Sequence, residues 1–288
     1  MAIPEWIKKD IPRRKFALSL LRRLNSRNLN TVCEEAKCPN IGDCFKRGTA
    51  TFLIMGDICT RSCVFCAVKK GEPHPLDPEE PLRVAEEVNN LELNHVVITS
   101  PSRDDLPDRG ASFYSKTVSE IKKRSPHTTV EVLVPDFKGS LDAIKEVVDS
   151  GIDVLNHNIE TVPRLYPIVR PEANYEQSLN LLKEASKYAP SLPLKSGLIV
   201  GLGEEKEEVI SVMRDLLFVN CNILTIGQYL RPSKKLLPVM RYVHPGEFRD
   251  YKILGEEMGF DYVASAPLVR SSYHADEALM IYKDKELK

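Results

Sequence analysis

From residue 51 onward, short apolar runs alternate with longer segments whose apolar positions recur every three or four residues. The runs 51–55, 95–99, 129–134, 153–156, 194–200 and 223–226 are too short for helices and predict strands. Between them, 82–91, 112–124, 140–150, 175–188 and 206–220 have one apolar face each and predict helices. Parallel strands need a helix-length crossover, so the alternation predicts βα units in an α/β fold with a parallel sheet. Six units fit an incomplete (βα)6 barrel better than a closed eightfold one. The segment 71–81 carries Pro73, Pro75, Pro78 and Pro81, too many for a helix or central strand, and reads as a crossover loop.

Three regions follow: an N-terminal extension over 1–48, the partial barrel over 49–231, and a C-terminal extension over 232–288 with a helix at 245–258 and then an irregular tail. The first thirty residues are locally basic, with Lys8, Lys9, Arg13, Arg14, Lys15, Arg22, Arg23 and Arg27 against Glu5 and Asp10. Phe16, Leu20, Leu21 and Leu24 fall at helical spacing, so one face packs while the cations form either a solvated face or a docking surface for an acidic partner. With 288 residues, 42% hydrophobic and 28% charged, the chain is a globular protein of one domain or two. A net charge of −1 gives no general pull toward nucleic acid. No apolar run approaches the ~20 residues of a membrane span, and no targeting sequence is evident, so a cytoplasmic protein is expected.

Six of the seven cysteines lie in two triplets, Cys33-x4-Cys38-x5-Cys44 and Cys59-x3-Cys63-x2-Cys66. Zinc asks for four N or S ligands, commonly from repeated CxxC pairs, and no second CxxC exists here. A disulfide framework is unexpected in a chain long enough to bury a large core. Three thiolates suit a cubane iron–sulfur cluster with one iron left open to a ligand, whereas an electron carrier usually uses four. The second triplet follows the first strand and has Phe65 just before its third cysteine. In this it resembles the radical S-adenosylmethionine superfamily.

The first triplet, Thr31-Val-Cys33-Glu-Glu-Ala-Lys-Cys38-Pro-Asn-Ile-Gly-Asp-Cys44, closely resembles the auxiliary-cluster motif of lipoyl synthases. The stretches 49–57, 103–108, 156–166, 227–233 and 270–275 are similar to that family in the same order, from about residue 30 to the end. The resemblance implies a radical-generating [4Fe–4S] cluster on Cys59, Cys63 and Cys66 that binds and cleaves S-adenosylmethionine. It also implies an auxiliary [4Fe–4S] cluster on Cys33, Cys38, Cys44 and Ser272 that gives up sulfur, closed over by the C-terminal extension. Phe65, Ser100, Asn156 and His157 are the expected S-adenosylmethionine contacts. The implied activity is that of a sulfurtransferase that inserts two sulfur atoms into an octanoyl chain on a lysine of a lipoyl carrier domain, in dehydrogenase E2 subunits or the glycine-cleavage H protein. A ferredoxin or flavodoxin would supply electrons. The alternatives are another radical sulfur-inserting enzyme and, in a different class, a two-cluster electron carrier.

Other features have bland readings beside sharp ones. Gly201-Leu-Gly203-Glu204 lacks the third glycine of a phosphate fingerprint and reads as a tight turn near bound adenosine. Cys221 reads as a buried small hydrophobe, Asp104 and Asp105 as ion-pairing acids or polar cofactor contacts rather than metal ligands, and His157 as a cofactor contact or a structural hydrogen-bonder. Two departures from the family pattern are Pro101-Ser102 in the run after the second strand and Arg109 where a glycine is usual.

Overall fold

Each apolar run read as a strand is one. The computed structural model describes residues 3–8, 17–35, 38, 40, 44 and 49–286. Among these, the six expected strands are β2 (Thr49–Leu53), β5 (His95–Thr99), β6 (Thr129–Leu133), β7 (Val154–Asn156), β8 (Leu194–Val200) and β9 (Ile223–Gln228). Neighbours pair in parallel and in chain order, with Leu53 opposite Thr99, Thr99 opposite Leu133 and Leu133 opposite Asn156. Because every βα unit adds its strand beside the last, the sheet winds in one direction, as a barrel does. The sheet order is β1-β2-β5-β6-β7-β8-β9-β10, and its outermost strands, β1 (Asn30–Thr31) and β10 (Tyr262–Ser265), are not neighbours, so the barrel is open.

The two faces of the sheet differ because side chains alternate along a strand. Ala50, Phe52, Val96, Ile98, Val130, Val132, Leu198 and Ile226 belong to the core that the helices cover. The intervening positions look the other way and are largely polar, among them Thr51, His95, Thr99, Glu131, Asn156, Lys195 and Thr225. Lys195 Nζ donates to both Glu131 oxygens at 3.0 and 2.9 Å, and Asn156 Nδ2 donates to Glu131 Oε1 at 2.8 Å. Losing one partner of such a buried pair generally costs roughly 3–5 kcal/mol, so this cross-strand knot ties β6, β7 and β8 beneath the barrel mouth.

The tail is not irregular. Gly259, at φ 113°, ends the helix Pro245–Met258, and Asp261 N–H donates to Asn222 O at 2.9 Å, which seats a seventh parallel strand, β10 (Tyr262–Ser265), along β9. A final helix, Ala275–Glu286, places Ala278 and Tyr282 against Ile223 and Tyr262 at the strand starts. Four residues are too few to reveal a strand by periodicity; pairing to β9 makes it one.

At the other end, β1 (Asn30–Thr31) runs antiparallel to β2, and the helix Ala17–Ser26 lies on the helix Glu80–Asn90. Leu24 is in the core, as its spacing implied. Arg23 Nε pairs with Glu87 at 2.5 Å, while Arg27 pairs with Glu86 and Glu87 at 2.6 and 3.0 Å. These two cations therefore help to pin the helix to the barrel. Lys9, Arg13, Arg14, Lys15 and Phe16 lie outside the described residues. Among the described residues, no helix is long and apolar enough to cross a membrane.

Candidate active site

At the carboxyl end of β2 the chain turns through Met55 and Gly56, at φ 65° and 86°. Glu80 and Arg103 hold this turn: Met55 N–H donates to Glu80 Oε2 at 2.8 Å, and Arg103 Nη1 donates to Met55 O at 3.2 Å. The cysteine loop then begins, with Cys59 in β3 (Ile58–Cys59) beside β4 (Lys69–Lys70). Cys59 Sγ accepts from the N–H groups of Arg61 and Ser102 at 3.4 and 3.3 Å. Lys70 Nζ donates to Cys63 O at 2.8 Å, and Cys66 N–H donates to the same carbonyl at 3.3 Å. Burial pushes the Cys66 thiol up to about 12 and raises that of Cys63, where the Arg170 charge opposes it. Thiols in such surroundings stay protonated until a strong cation takes the proton's place.

Arg61, between the first two cysteines, anchors the loop. Its Nε donates to Asp104 at 2.7 Å and its Nη1 to Asp136 at 2.9 Å. Although burial works against it, Arg61 holds Asp136 well below the usual carboxylate range. Thr60 N–H and Oγ1 both donate to Ser102 O, at 3.1 and 2.9 Å. The loops leaving β2, β5 and β6 thus form one unit, and of the two readings of Asp104 and Asp105 the structure shows ion pairing, the former with Arg61 and the latter with Arg103 at 2.8 Å. The Pro101-Ser102 departure lies inside this unit. Arg109 adopts φ 59°, which a glycine would reach without strain, and its Nη1 donates to Pro107 O at 3.1 Å.

Of the expected cofactor contacts, Phe65 is half-buried against the core and Ser100 Oγ is engaged with Tyr114 Oη at 2.9 Å and Pro101 O at 2.8 Å. Asn156 and His157 are fully buried at the end of β7. His157 Nδ1 meets Val134 O at 2.9 Å, but His157 Nε2, Asn156 Oδ1 and Asn158 Oδ1 are buried without a partner. Buried polar atoms are normally satisfied, and here three orphans fall within three consecutive residues, 156–158. Gly197 faces the last of them: a Cβ there would meet Asn158 Oδ1 at 2.7 Å and Thr225 Oγ1 at 2.9 Å.

Burial, aided by the Arg170 charge, pushes the His157 imidazole down to about 4. Above about pH 6.5 the ring is neutral whether the chain is folded or not. As pH falls, the unfolded chain takes up the proton first, so stability drops by up to ~3 kcal/mol until the folded ring protonates near pH 4. Denaturation midpoints of wild type and His157→Gln between pH 7 and 4 are expected to converge as the pH falls; parallel curves would mean that the ring is not held neutral.

The first triplet sits on the inner face of β2. Cys38 N–H donates to Cys33 O at 2.9 Å and Cys44 N–H to Asn40 O at 3.1 Å. A hydrogen bond from Cys38, burial and the nearby Cys44 raise the Cys33 thiol, while Thr51 of β2 hydrogen-bonds it. Asn40 Nδ2 donates to Leu268 O at 2.6 Å, and Arg270 lies beside Cys38. The loop carrying Ser271 and Ser272, both half-buried, is therefore brought to the first triplet. No group of three His, Cys, Asp or Glu side chains among the described residues is placed to hold a metal ion. Thiolates around one ion must converge, whereas those of a cubane each serve a different iron.

The Gly201–Glu204 turn supplies its own anion: the Glu204 carboxylate accepts from the N–H groups of Gly201, Leu202 and Gly203 at 2.6, 2.9 and 3.1 Å, which leaves no room for phosphate. Cys221 is buried, with its thiol pushed up to about 12. Sequence reasoning missed Arg61, Asp136 and Arg170. Position is the signal that was available for the first two, since Arg61 lies inside the cysteine loop and Asp136 just after a strand.

The family model for the Radical SAM superfamily matches residues 53–216. Lipoyl synthase of Caldanaerobacter subterraneus is 56% identical over 283 residues, covering 96% of this chain and 97% of that protein. Lipoyl synthase of Rubrobacter xylanophilus is 54% identical over 274 residues, covering 95% and 85%. Among solved structures, the FeFe-hydrogenase maturase HydG from Carboxydothermus hydrogenoformans aligns with a TM-score of 0.60 at 14% identity over 97% of this chain and 79% of its own, and speaks for the fold alone. With near-complete coverage, this degree of identity, and the parallel sheet with its cysteine loop, the chain belongs to the lipoyl synthase family of the radical S-adenosylmethionine superfamily.

Proposed function

We propose that this lipoyl synthase carries its radical-generating [4Fe–4S] cluster on Cys59, Cys63 and Cys66, and a second, sulfur-donating [4Fe–4S] cluster on Cys33, Cys38, Cys44 and Ser272. The observation that carries the reading is the convergence of separate segments. One triplet leaves β2, the other lies against the inner face of β2 through Thr51, and the Leu268–Arg270 loop reaches the latter through Asn40 and Cys38. Bound S-adenosylmethionine, reduced through the first cluster, supplies a 5′-deoxyadenosyl radical able to take hydrogen from an unactivated C–H bond.

The chain's own residues bind, orient and exclude water. Asn156, His157 and Asn158 offer unsatisfied buried polar atoms to the cofactor, Phe65 within the loop packs against the core, and Ser100, already doubly engaged, is the least available contact. The divisions 1–48, 49–231 and 232–288 then correspond to auxiliary-cluster arm, radical barrel and closing segment. The substrate is an octanoyl-lysine on a lipoyl carrier domain, of a dehydrogenase E2 subunit or the glycine-cleavage H protein. Each of two carbons loses hydrogen and gains sulfur. A cytoplasmic ferredoxin or flavodoxin is the electron donor in this reading.

Anaerobic reconstitution is the direct test. About eight irons and eight sulfides per chain are expected, corresponding to two cubanes, together with conversion of an octanoyl-lysine peptide to lipoyl-lysine. About four irons in a fully active protein would remove the second cluster from the account.

A further inference from the structure

Between β9 and the helix Pro245–Met258 the chain makes a long excursion, 229–244, on the carboxyl face of the barrel. Buried Gln228 clamps both of its ends: Gln228 Nε2 donates to Arg241 O at 3.0 Å, and Gln228 Oε1 accepts from Val243 N–H at 2.8 Å. A loop whose ends meet in this way holds a compact shape of its own. It is also tied to two other loops of the same face. Leu237 N–H donates to Val64 O of the cysteine loop at 3.0 Å, and Met240 N–H donates to Gly201 O, just after β8, at 2.9 Å. In the sheet β5, β6, β7 and β8 lie between β2 and β9, so the excursion links loops of strands that are far apart.

From 216 to 246 the sequence contains no Asp or Glu, while the excursion carries Arg231, Lys234, Lys235 and Arg241. Glu247 neutralises Arg241 at 2.7 Å. The other three are exposed and meet no carboxylate among the described residues. Arg231 Nε instead donates to Leu236 O at 2.8 Å, which closes a turn with Lys234 and Lys235 facing solvent. Elsewhere on this face cations are matched, Lys69 with Asp57, Lys138 with Asp104 and Arg164 with Glu208. Met240, 55% exposed, adds an apolar contact at the far end of the loop. Unmatched positive charges on a braced loop attract and orient an anionic surface, with little ordering left to do on contact.

We propose that the loop 231–240 is the docking surface for the carrier domain and recognises carboxylates flanking its octanoyl-lysine. This rests on the reading of the substrate given above. An octanoyl-lysine is a single side chain, so a carrier that sends it into the barrel has to settle on the rim, where this loop lies. An electron donor is not confined in that way, because an electron can enter from any surface near the cluster. The bond from Leu237 to Val64 fixes the docking surface relative to the cysteine loop, so the seated carrier also sets how deep its arm reaches.

The test is binding of octanoylated glycine-cleavage H protein to the anaerobically reconstituted full chain, followed by surface plasmon resonance across a salt series. Turnover of an octanoyl-lysine tripeptide without acidic residues is measured alongside. Wild-type Kd is expected to rise steeply with salt, because exposed charges are screened over about 10 Å at about 0.1 M. Lys234→Glu combined with Lys235→Glu should raise Kd at least about tenfold at about 0.05 M salt and flatten the salt dependence, while KM for the tripeptide moves by less than about threefold. Lys183→Glu with Lys187→Glu, exposed on the helix Tyr175–Tyr188, makes the same change in net charge away from the rim and should shift Kd by less than about threefold. An unchanged Kd in the loop variant overturns the proposal, as does an equal rise in the helix variant. A loss on the tripeptide as large as the loss on the carrier also overturns it, since the loop would then be a support of the cysteine loop. If the loop variant loses iron, Lys234→Gln with Lys235→Gln decides: wild-type iron with Kd raised about threefold or more supports docking, and wild-type Kd or a second loss of iron overturns it. Slower cluster reduction by flavodoxin with carrier binding intact would assign the loop to the electron donor and overturn it too. Tripeptide conversion without wild-type binding of the carrier sinks the docking surface alone, whereas no conversion of the tripeptide by the wild type sinks the reading of the reaction beneath it.

Discussion

Replacing Cys63 by alanine is expected to abolish formation of 5′-deoxyadenosine, whereas replacing Cys38 should change it by no more than ~10-fold, the scale of effects from outside the reacting shell. The contrast follows from two cysteine groups on separate supports. Cys63 belongs to the loop held by Arg61, Asp104 and Ser102, and the orphaned atoms of Asn156, His157 and Asn158 lie at the carboxyl end of β7. Cys38 belongs to the arm against Thr51 and Arg270. Cys38→Ala should therefore still cleave S-adenosylmethionine and still abstract hydrogen from octanoyl-lysine, but form no lipoyl product. Product analysis by mass spectrometry, beside an iron count for each variant, checks it. Equal loss of deoxyadenosine in both folded variants, each retaining its other cluster, would falsify the division of labour.

Ser272→Cys should keep or tighten the auxiliary cluster and lose lipoyl formation altogether, with deoxyadenosine formation retained. Thiolate is a softer ligand than a serine oxygen and suits iron–sulfur cores better, so it would retain an iron that has to leave when sulfur is surrendered. The loop is well placed for the exchange, since Asn40 donates to Leu268 O and the Arg270 charge is felt at Cys38. Ser271→Cys provides the control, with product expected. Full product from Ser272→Cys, or loss confined to Ser271→Cys, would show that the wrong serine or the wrong role has been assigned.

How far these experiments could be designed from the sequence differs from residue to residue. The βα alternation was legible because strand and helix periodicities are local, and runs such as 95–99 and 194–200 are apolar enough to announce themselves. The cysteine triplets and their separation were equally legible, since a spacing within one loop survives any folding. The three orphaned atoms at the end of β7 were only half visible: Asn156 and His157 were singled out, but which of their atoms lacked partners depends on Glu131 and Val134.

Other features are properties of pairing across the chain. Tyr262–Ser265 is a strand because Ile223–Ile226 offers it an edge. Arg23 meets Glu87, 64 residues away, an ion pair that the local basic run does not announce. Arg61 meets Asp136 across 75 residues, and Lys195 meets Glu131 across 64. Val64 N–H reaches Val169 O only because the loop leaving β2 and the segment after β7 lie side by side. Composition and periodicity determined which elements form and which chemistry they carry, because both are written in near neighbours. Which buried charge meets which partner was decided by tertiary structure, because a charge is stable in the interior only beside partners that the fold brings from elsewhere in the chain.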